Sequence, residues 1–578
     1  MTIFKSNVFL RIRRGDMANV VQASCEVLIV GGGPCGLMLA IELGRRGVDT
    51  ILIDAKPGTA RNPQANATQA RTMEHYRRLG FADEVRALGL PSDYPTDIAY
   101  FTRYADRELA RFRLPSAHEA QASVRSMAGS WSAAELPHRV SQKFVEEALL
   151  RHARNQSSVR MMHSHRLTSF AEAVDSVTAK VEPTKGGEAL TIHARYLVGA
   201  DGARSQIRRA LGIQMVGESG VQRDFFGGRM AAVYLRAKDF YAETGHDRAW
   251  MYWAFNTQRR GWLAAVDGNG EFFFNTQLRT EEEERPLDKA FVTELFTQAT
   301  GRPIDFEILE TGVWIAGHCL VAESLGRDRV WIAGDAAHLF TPAGGNGYNT
   351  AVEDAVNLAW KLAAAARGQA GQTLLESYDI ERRRIATRNT GYARELARSI
   401  GEFVPSPLIE QDGPEGDLAR QEAGVYLEAH ARREFNIPGI TFGGRYDGSP
   451  VIACEDAARP PDQMNVYQPT ALPGGRPPHA WLPDGTSLYD RFGPEWTLLV
   501  LASPDGATDA LRAAFALVGQ QLDIVLLPDE GLAALYERRM ALIRPDQIVA
   551  WRGDALPDDP AQLVRHLLGH HTAAVVPA

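Results

Sequence analysis

The stretch Cys25-Glu-Val-Leu-Ile-Val-Gly31-Gly-Gly33-Pro34-Cys-Gly36-Leu-Met-Leu-Ala-Ile-Glu-Leu-Gly44 constrains the fold more than any other. Val27 to Val30 form a short, mostly β-branched apolar run, which predicts a buried parallel strand. The glycines follow at once, and Leu37, Leu39, Ala40, Ile41 and Leu43 continue with helical spacing. In such a turn Gly31 permits the tight bend, Gly33 lets the backbone approach a pyrophosphate, and Gly36 lets helix and strand pack closely. A second strand, Thr50-Ile-Leu-Ile-Asp54, ends in a carboxylate placed to accept hydrogen bonds from a ribose. A glycine-rich turn without a nucleotide is the bland alternative. Strand, helix and acid together point instead to a dinucleotide site held by Gly31, Gly33, Pro34, Gly36 and Asp54.

At 578 residues the chain is long enough for two or three domains. A net charge of -8, with no basic stripe, argues against a nucleic-acid partner. Four cysteines without metal-ligand or redox-pair spacing read as reduced thiols of a cytoplasmic protein and predict no metal site. No apolar run is long enough to cross a membrane. Residues 1–23 lack the apolar core of a signal peptide and are expected to be a disordered extension, with Met17 an alternative start and a mitochondrial leader the lesser reading.

Further along, His138-Arg139-Val-Ser-Gln142 reads as a strand end entering an amphipathic helix, where Arg139 and Gln142 could reach a phosphate or ribose. Alone, both are ordinary surface residues. Leu197-Val-Gly-Ala-Asp201-Gly202 places an acid at the carboxyl edge of a parallel sheet, where open α/β folds bind ligands. From about Met215 to Glu310, alternating aromatic segments such as Trp250-Met-Tyr-Trp-Ala-Phe255 predict antiparallel strands. For any single ring, core packing is the simpler reading; as a group they wall an apolar pocket. Finally, Val330-Trp-Ile-Ala-Gly334-Asp335 reads as a buried strand delivering Gly-Asp to its end. A glycine-rich loop follows, and then a helix beginning near Asn349. The N–H groups of that helix end suit an electron-rich ring edge that becomes anionic.

The set Gly31-x-Gly33-x-x-Gly36, Asp201-Gly202 and Gly334-Asp335 resembles the three fingerprints of single-component FAD-dependent aromatic hydroxylases, the para-hydroxybenzoate hydroxylase and phenol hydroxylase family. Arg71-Thr-Met-Glu74 and Tyr378-Asp-Ile-Glu-Arg382 extend the likeness over roughly residues 25 to 395. The resemblance implies an α/β fold: a Rossmann-like FAD-binding domain (24–214 and 316–395) with an inserted antiparallel-sheet substrate domain (215–315). A helical connector (396–445) and a C-terminal thioredoxin-like domain (446–578) follow; the last lacks a Cys-x-x-Cys pair and is expected to be structural, in a homodimer. It further implies hydroxylation of a phenolic or related aromatic substrate with NADPH or NADH and O2, through a flavin C4a-hydroperoxide. By match of position, Asp54 holds the adenosine ribose and Gln142 the ribityl or pyrophosphate region. Asp201 is shared between FAD and NAD(P)H, and Asp335 contacts the ribityl chain. The segment Gly345-Asn346-Gly347-Tyr348-Asn349 meets the flavin ring.

The sequence departs from that pattern in three places. Gln64 stands where the family often has Arg, and Arg61 is a candidate replacement cation. Asn66 stands where related enzymes carry a His that aids phenol activation, and an amide cannot act as a base. The flavin loop has Asn346 and Tyr348 where Gln and Met or Leu are more usual. Asn66, Tyr252 and Pro342 are therefore the candidate catalytic residues, with Trp253 in the substrate pocket. A polycyclic polyketide or antibiotic hydroxylase of the same fold is the alternative reading, and a non-hydroxylating FAD protein the more distant one.

Overall fold

The computed structural model describes residues 21–62, 64–220, 225–502 and 508–570. Residues 1–20, and with them most of the expected extension and Met17, lie outside the described residues, as does Pro63. The strand Val21–Val30 pairs in parallel with Thr50–Asp54 on one side and Leu190–Gly199 on the other. It starts at Val21, inside the stretch expected to be disordered, because its first residues pair with Leu190 to Ile192. Val27, Leu28 and Ile29 are wholly buried, as a strand covered on both faces requires. Val159–His163 and Val330–Ile332 extend the sheet in parallel, and a hairpin of His165–Glu172 and Val177–Pro183 folds back onto Leu190–Gly199.

A second, seven-stranded sheet runs Glu307–Ala316, Gly228–Arg236, Glu271–Gln277, Arg260–Ala265, Met251–Phe255, Ile98–Phe101 and Glu108–Phe112 in spatial order. Its last two strands come from the region assigned by sequence to the FAD-binding domain. They join through a parallel pairing of Ile98–Phe101 with Met251–Ala254, a long-range contact that leaves no local pattern. Met215–Glu218 goes the other way, pairing with Cys319–Ala322 in a separate small sheet.

The expected connector is more than a link. Helix Gln372–Glu402 continues through its start, and helix Pro414–Phe435 packs against Glu108–Phe112, close enough that a Cβ on Gly424 would stand 2.4 Å from the Leu109 carbonyl oxygen. Beyond it, Trp496–Val500 pairs in parallel with Leu522–Leu526 and antiparallel with Met540–Ile543, to which Val549–Gly553 adds as a hairpin. With flanking helices, this is a thioredoxin-like arrangement. It docks on helix Asn346–Ala366 through Trp360 and Trp496, edge to face with ring centres 5.6 Å apart. Among the described residues no helix is long and apolar enough to cross a membrane, and no cluster of His, Cys, Asp and Glu could hold a metal ion.

Three histidines are buried neutral where these layers meet. Burial, reinforced by the cations Arg86 at His138 and Arg476 at His479, pushes both down to about 3; burial and Arg71 hold His75 well below its ordinary value. The unfolded chain protonates each near 6.5 and the folded chain does not, so stability is greatest above that pH and falls as pH drops from 6.5 toward 3. Each site is expected to contribute up to about 1.4 kcal/mol per pH unit in that window. Denaturant midpoints measured from pH 8 to pH 4.5 check this; a flat profile below 6.5 contradicts it.

Candidate active site

A cavity of about 990 Å³ runs from the glycine-rich turn, past the Pro342–Tyr348 loop, to the face of the seven-stranded sheet. At its first end the glycines do different work. A Cβ on Gly31, whose φ is +113°, would stand 2.1 Å from the Ala200 carbonyl oxygen, and one on Gly36 would stand 1.9 Å from that of Gly31. Gly33 is free of both constraints and opens onto the cavity beside Pro34. Gly36 and Gly334 do not line the cavity; they let the surrounding elements approach. Asp54 accepts from Gly32 N–H (2.5 Å) and Lys56 N–H (2.6 Å), which fixes its carboxylate at the cavity wall. Asp201 caps the following helix through Oδ2, accepting from Gln206 N–H at 2.7 Å, and its Oδ1 is buried without a partner. Arg61, the candidate replacement cation, is exposed and outside the cavity lining, whereas Gln64 lines it. The cations that do line the cavity include Lys56, Arg166, Arg204 and Arg209, none of which sequence reasoning selected.

At the third fingerprint, Gly334-Asp335, Asp354 holds the turn. Its Oδ2 accepts from Gly334 N–H (3.1 Å) and His338 Nε2 (2.6 Å), and its Oδ1 from Arg382 Nε (2.8 Å). Burial opposes its charge, but His338 and Arg382 prevail and keep the carboxyl below its ordinary value. Asp335 is open to the cavity, where desolvation by the surrounding protein raises its carboxyl above its ordinary value. Gly344 and Gly345 both take left-handed φ, which turns the chain into a helix that starts at Asn346, a turn earlier than expected. Asn346, Gly347 and Tyr348 line the cavity. Asn349 does not; its amide ties Gln69 N–H (2.8 Å) and the carbonyls of Ala67 (3.0 Å) and Gly345 (2.6 Å) together, so it braces the loop from behind. Gln142 lines the cavity and donates to Glu146 at 2.7 Å.

The far wall is the sheet. Tyr252, a candidate catalytic residue, is on the wrong face: strands alternate sides, so Met251 and Trp253 face the cavity and Tyr252 does not. Its ring packs among Phe101, Tyr104 and Phe240, its hydroxyl accepts from Ala249 N–H at 2.7 Å, and burial raises its pKa. Asn66, Pro342 and Trp253 do line the cavity. Arg139 stands not at the glycine-rich turn but beside the rings of Trp250 and Phe435, 4.7 and 5.6 Å from their centres, where burial lowers it to about 10 and Glu434 opposes the shift. Glu434 was not anticipated. It lines the cavity, accepts from Gly344 N–H at 2.9 Å, and bonds His430 Nε2 at 2.8 Å; His430 Nδ1 meets Ser399 Oγ at 3.1 Å.

The family described as FAD binding domain matches residues 24–393, and that described as aromatic-ring hydroxylase, C-terminal, matches 470–570. The chain belongs to the FAD-dependent aromatic-ring hydroxylases. The hydroxylase is 30% identical to the tetracenomycin B2 monooxygenase-dioxygenase of Streptomyces olivaceus, over 94% of this chain and 97% of that one. It is 29% identical to the phenol 2-monooxygenase of Pseudomonas sp., over 94% and 91%. Among solved structures, it superposes on the rebeccamycin biosynthetic enzyme RebC with reduced flavin at a TM-score of 0.84, with 33% identity over 95% of this chain and all of that one. It also superposes on aklavinone-11 hydroxylase with FAD and aklavinone at 0.77, with 27% identity over 94% and 99%. The hydroxylase is thus an FAD-dependent monooxygenase of aromatic substrates that uses NAD(P)H and O2. Its residues fit FAD: the glycine cradle admits no Cβ at Gly31 or Gly36, and the orphaned Oδ1 of Asp201 lacks a donor that a ligand can supply.

Proposed function

We propose that this chain hydroxylates a phenolic ring held between the Pro342–Tyr348 loop and the sheet, with either NADH or NADPH as reductant. The observation that carries the reading is the continuity of one cavity from the glycine-rich turn to the aromatic wall. In this reading Gly31, Gly33, Pro34, Asp54 and Gln64 take the adenosine and pyrophosphate end of FAD. Gln142, Asp201 and Asp335 take its middle, and Asn346, Gly347 and Tyr348 its ring. Bound and reduced by NAD(P)H, FAD would activate O2, one atom of which goes to the ring while the other leaves as water. The chain orients the ring through Trp253, Asn66 and Pro342, and excludes water with the surrounding aromatics. Glu434 accepts the phenolic proton, and His430 and Ser399 lead on toward the half-exposed Tyr426, whose hydroxyl lies 3.4 Å from Ser399 Oγ. The Arg139 guanidinium lines the same stretch of cavity as Glu434, whose carboxylate supports the Arg139 charge against burial.

An extended polycyclic substrate is favoured by the width of the wall. Trp253, Trp262, Asn275, Ala232 and Gly312 lie in register across five strands, about 19 Å by ordinary strand spacing. The proposal also includes a homodimer in the cytoplasm, the location supported by four unpaired cysteines, and no nucleic-acid or membrane partner, the first of these supported by the net charge of -8. The test is NAD(P)H oxidation against hydroxybenzoates, alkylphenols and a polycyclic phenol, with hydrogen peroxide measured alongside. A product heavier by one oxygen with little peroxide is the expected result. Stimulated oxidation yielding peroxide alone from every compound, or no stimulation by any of them, contradicts it.

A further inference from the structure

We infer that Asn275 sets substrate specificity by donating to an oxygen acceptor, a carbonyl or carboxylate, on the edge of the aromatic substrate remote from the reacting ring. The inference rests on the proposed reading that an aromatic substrate occupies the sheet end of the cavity. Asn275 is wholly buried yet lines the cavity. Trp314 Nε1 bonds its side chain at 3.1 Å, and an indole nitrogen can only donate. The amide oxygen must therefore face Trp314, and the amide nitrogen is left without a partner among the described residues. Its cross-strand neighbours on the same face are Trp262 on one side and Ala232 on the other; Trp253 follows Trp262. The indole N–H groups of Trp253 and Trp262 are likewise buried and unpartnered.

Unpartnered indoles also occur deep in the core at Trp331 and Trp496, so the tryptophans alone carry little. A primary amide differs, because a buried NH2 without an acceptor costs more than an indole edge packed on carbon. Among the described residues, the side chains of this stretch of wall offer unpartnered donors and no unpartnered acceptor. A substrate oxygen there repairs the deficit, while a methyl group of the same size leaves it open. Trp314 is the positioning residue, since it prevents the amide from turning its oxygen to the cavity.

The test uses the FAD-loaded protein and two naphthols of matched size, 6-acetyl-2-naphthol and 6-isopropyl-2-naphthol, which differ by a carbonyl oxygen in place of a methyl group. Dissociation constants come from calorimetry, so turnover is not needed. The wild type is expected to bind the acetyl compound about tenfold more tightly, the effect of one net hydrogen bond. N275D still accepts from Trp314 but presents an acceptor to the cavity, and its ratio is expected to fall to one or below. Should N275D not fold, W314F frees the amide to rotate and is expected to lower the same ratio. The ratio is insensitive to a general loosening of the pocket. Equal binding of the two compounds by the wild type, or an unchanged ratio in the variants, overturns the assignment while leaving the aromatic-substrate reading intact. Binding of neither at millimolar concentration overturns that reading, and the assignment with it.

Discussion

Glu381→Ala is expected to destabilise the protein by about 3–5 kcal/mol, the cost of leaving buried charge uncompensated. Glu381 is wholly enclosed between helix Gln372–Glu402 and the C-terminal domain. Its carboxylate accepts from Arg544 at 2.7 and 2.9 Å, from Lys361 at 2.7 Å, from Asn357 at 2.7 Å and from Ser449 at 2.6 Å. Burial acts to raise its pKa, but Arg544 and Lys361 overcome it and keep the carboxyl far below its ordinary value. Lys361 pays the complementary cost: burial pulls it down to about 8 although Glu381 supports its charge. Removing the carboxylate strands two cations: Arg544 keeps Asp546 and the rings of Trp360 and Tyr446, and Lys361 keeps the Ser377 hydroxyl and the ring of Trp360. Because Arg544 belongs to the C-terminal domain, the loss is expected first as separation of that domain, seen as an early unfolding step and as protease cleavage before residue 496. Adding Lys361→Met to Glu381→Ala removes one stranded cation and should recover part of the loss. A denaturant midpoint equal to the wild type's shows that the cluster contributes no net docking energy.

What the sequence disclosed and what it hid divide along the range of the interactions. Gly31, Gly36 and Asp54 were legible because their constraints are local: a bend, a close approach and a carboxylate at a strand end are all set within one βαβ unit. The same holds for Gly334 and Asp335 as a motif, but not for Asp354, whose hold on Gly334 passes through a helix 20 residues on. Tyr252 failed for a reason of symmetry. Trp250-Met-Tyr-Trp-Ala-Phe255 is apolar on both faces, so alternation could not say which parity meets the cavity. Asn349 failed because an amide at a helix start serves equally well to bind a ring or to brace a loop. Glu434 and Phe435 were hidden most thoroughly. They lie at the end of Ala429-His-Ala-Arg-Arg-Glu-Phe435, a charge-rich helical segment that reads as solvated surface, and only its packing against the strand Glu108–Phe112 turns them inward.

Glu434→Gln is expected to lower kcat with a phenolic substrate by about 10²–10⁴-fold at pH 7, the usual worth of a positioned general base. Glutamine preserves the shape of the site: its carbonyl oxygen can still accept from Gly344 N–H, and its NH2 can face His430 in the other tautomer. What it cannot do is take up a proton. The loss should therefore shrink as the pH rises toward about 10, where a phenol ionises unaided, and KM should change far less than kcat. Retention of the flavin absorbance by the variant separates this from damage to the loop that Glu434 supports. A second comparison sharpens the point. Against a substrate already ionised at pH 7, the variant should match the wild type, because no proton remains to be removed. A uniform loss at every pH and with both substrates assigns Glu434 to bracing Gly344 alone. Turnover of the phenol by the variant at the wild-type rate at pH 7 places the base elsewhere, and Asn66, an amide, cannot provide it.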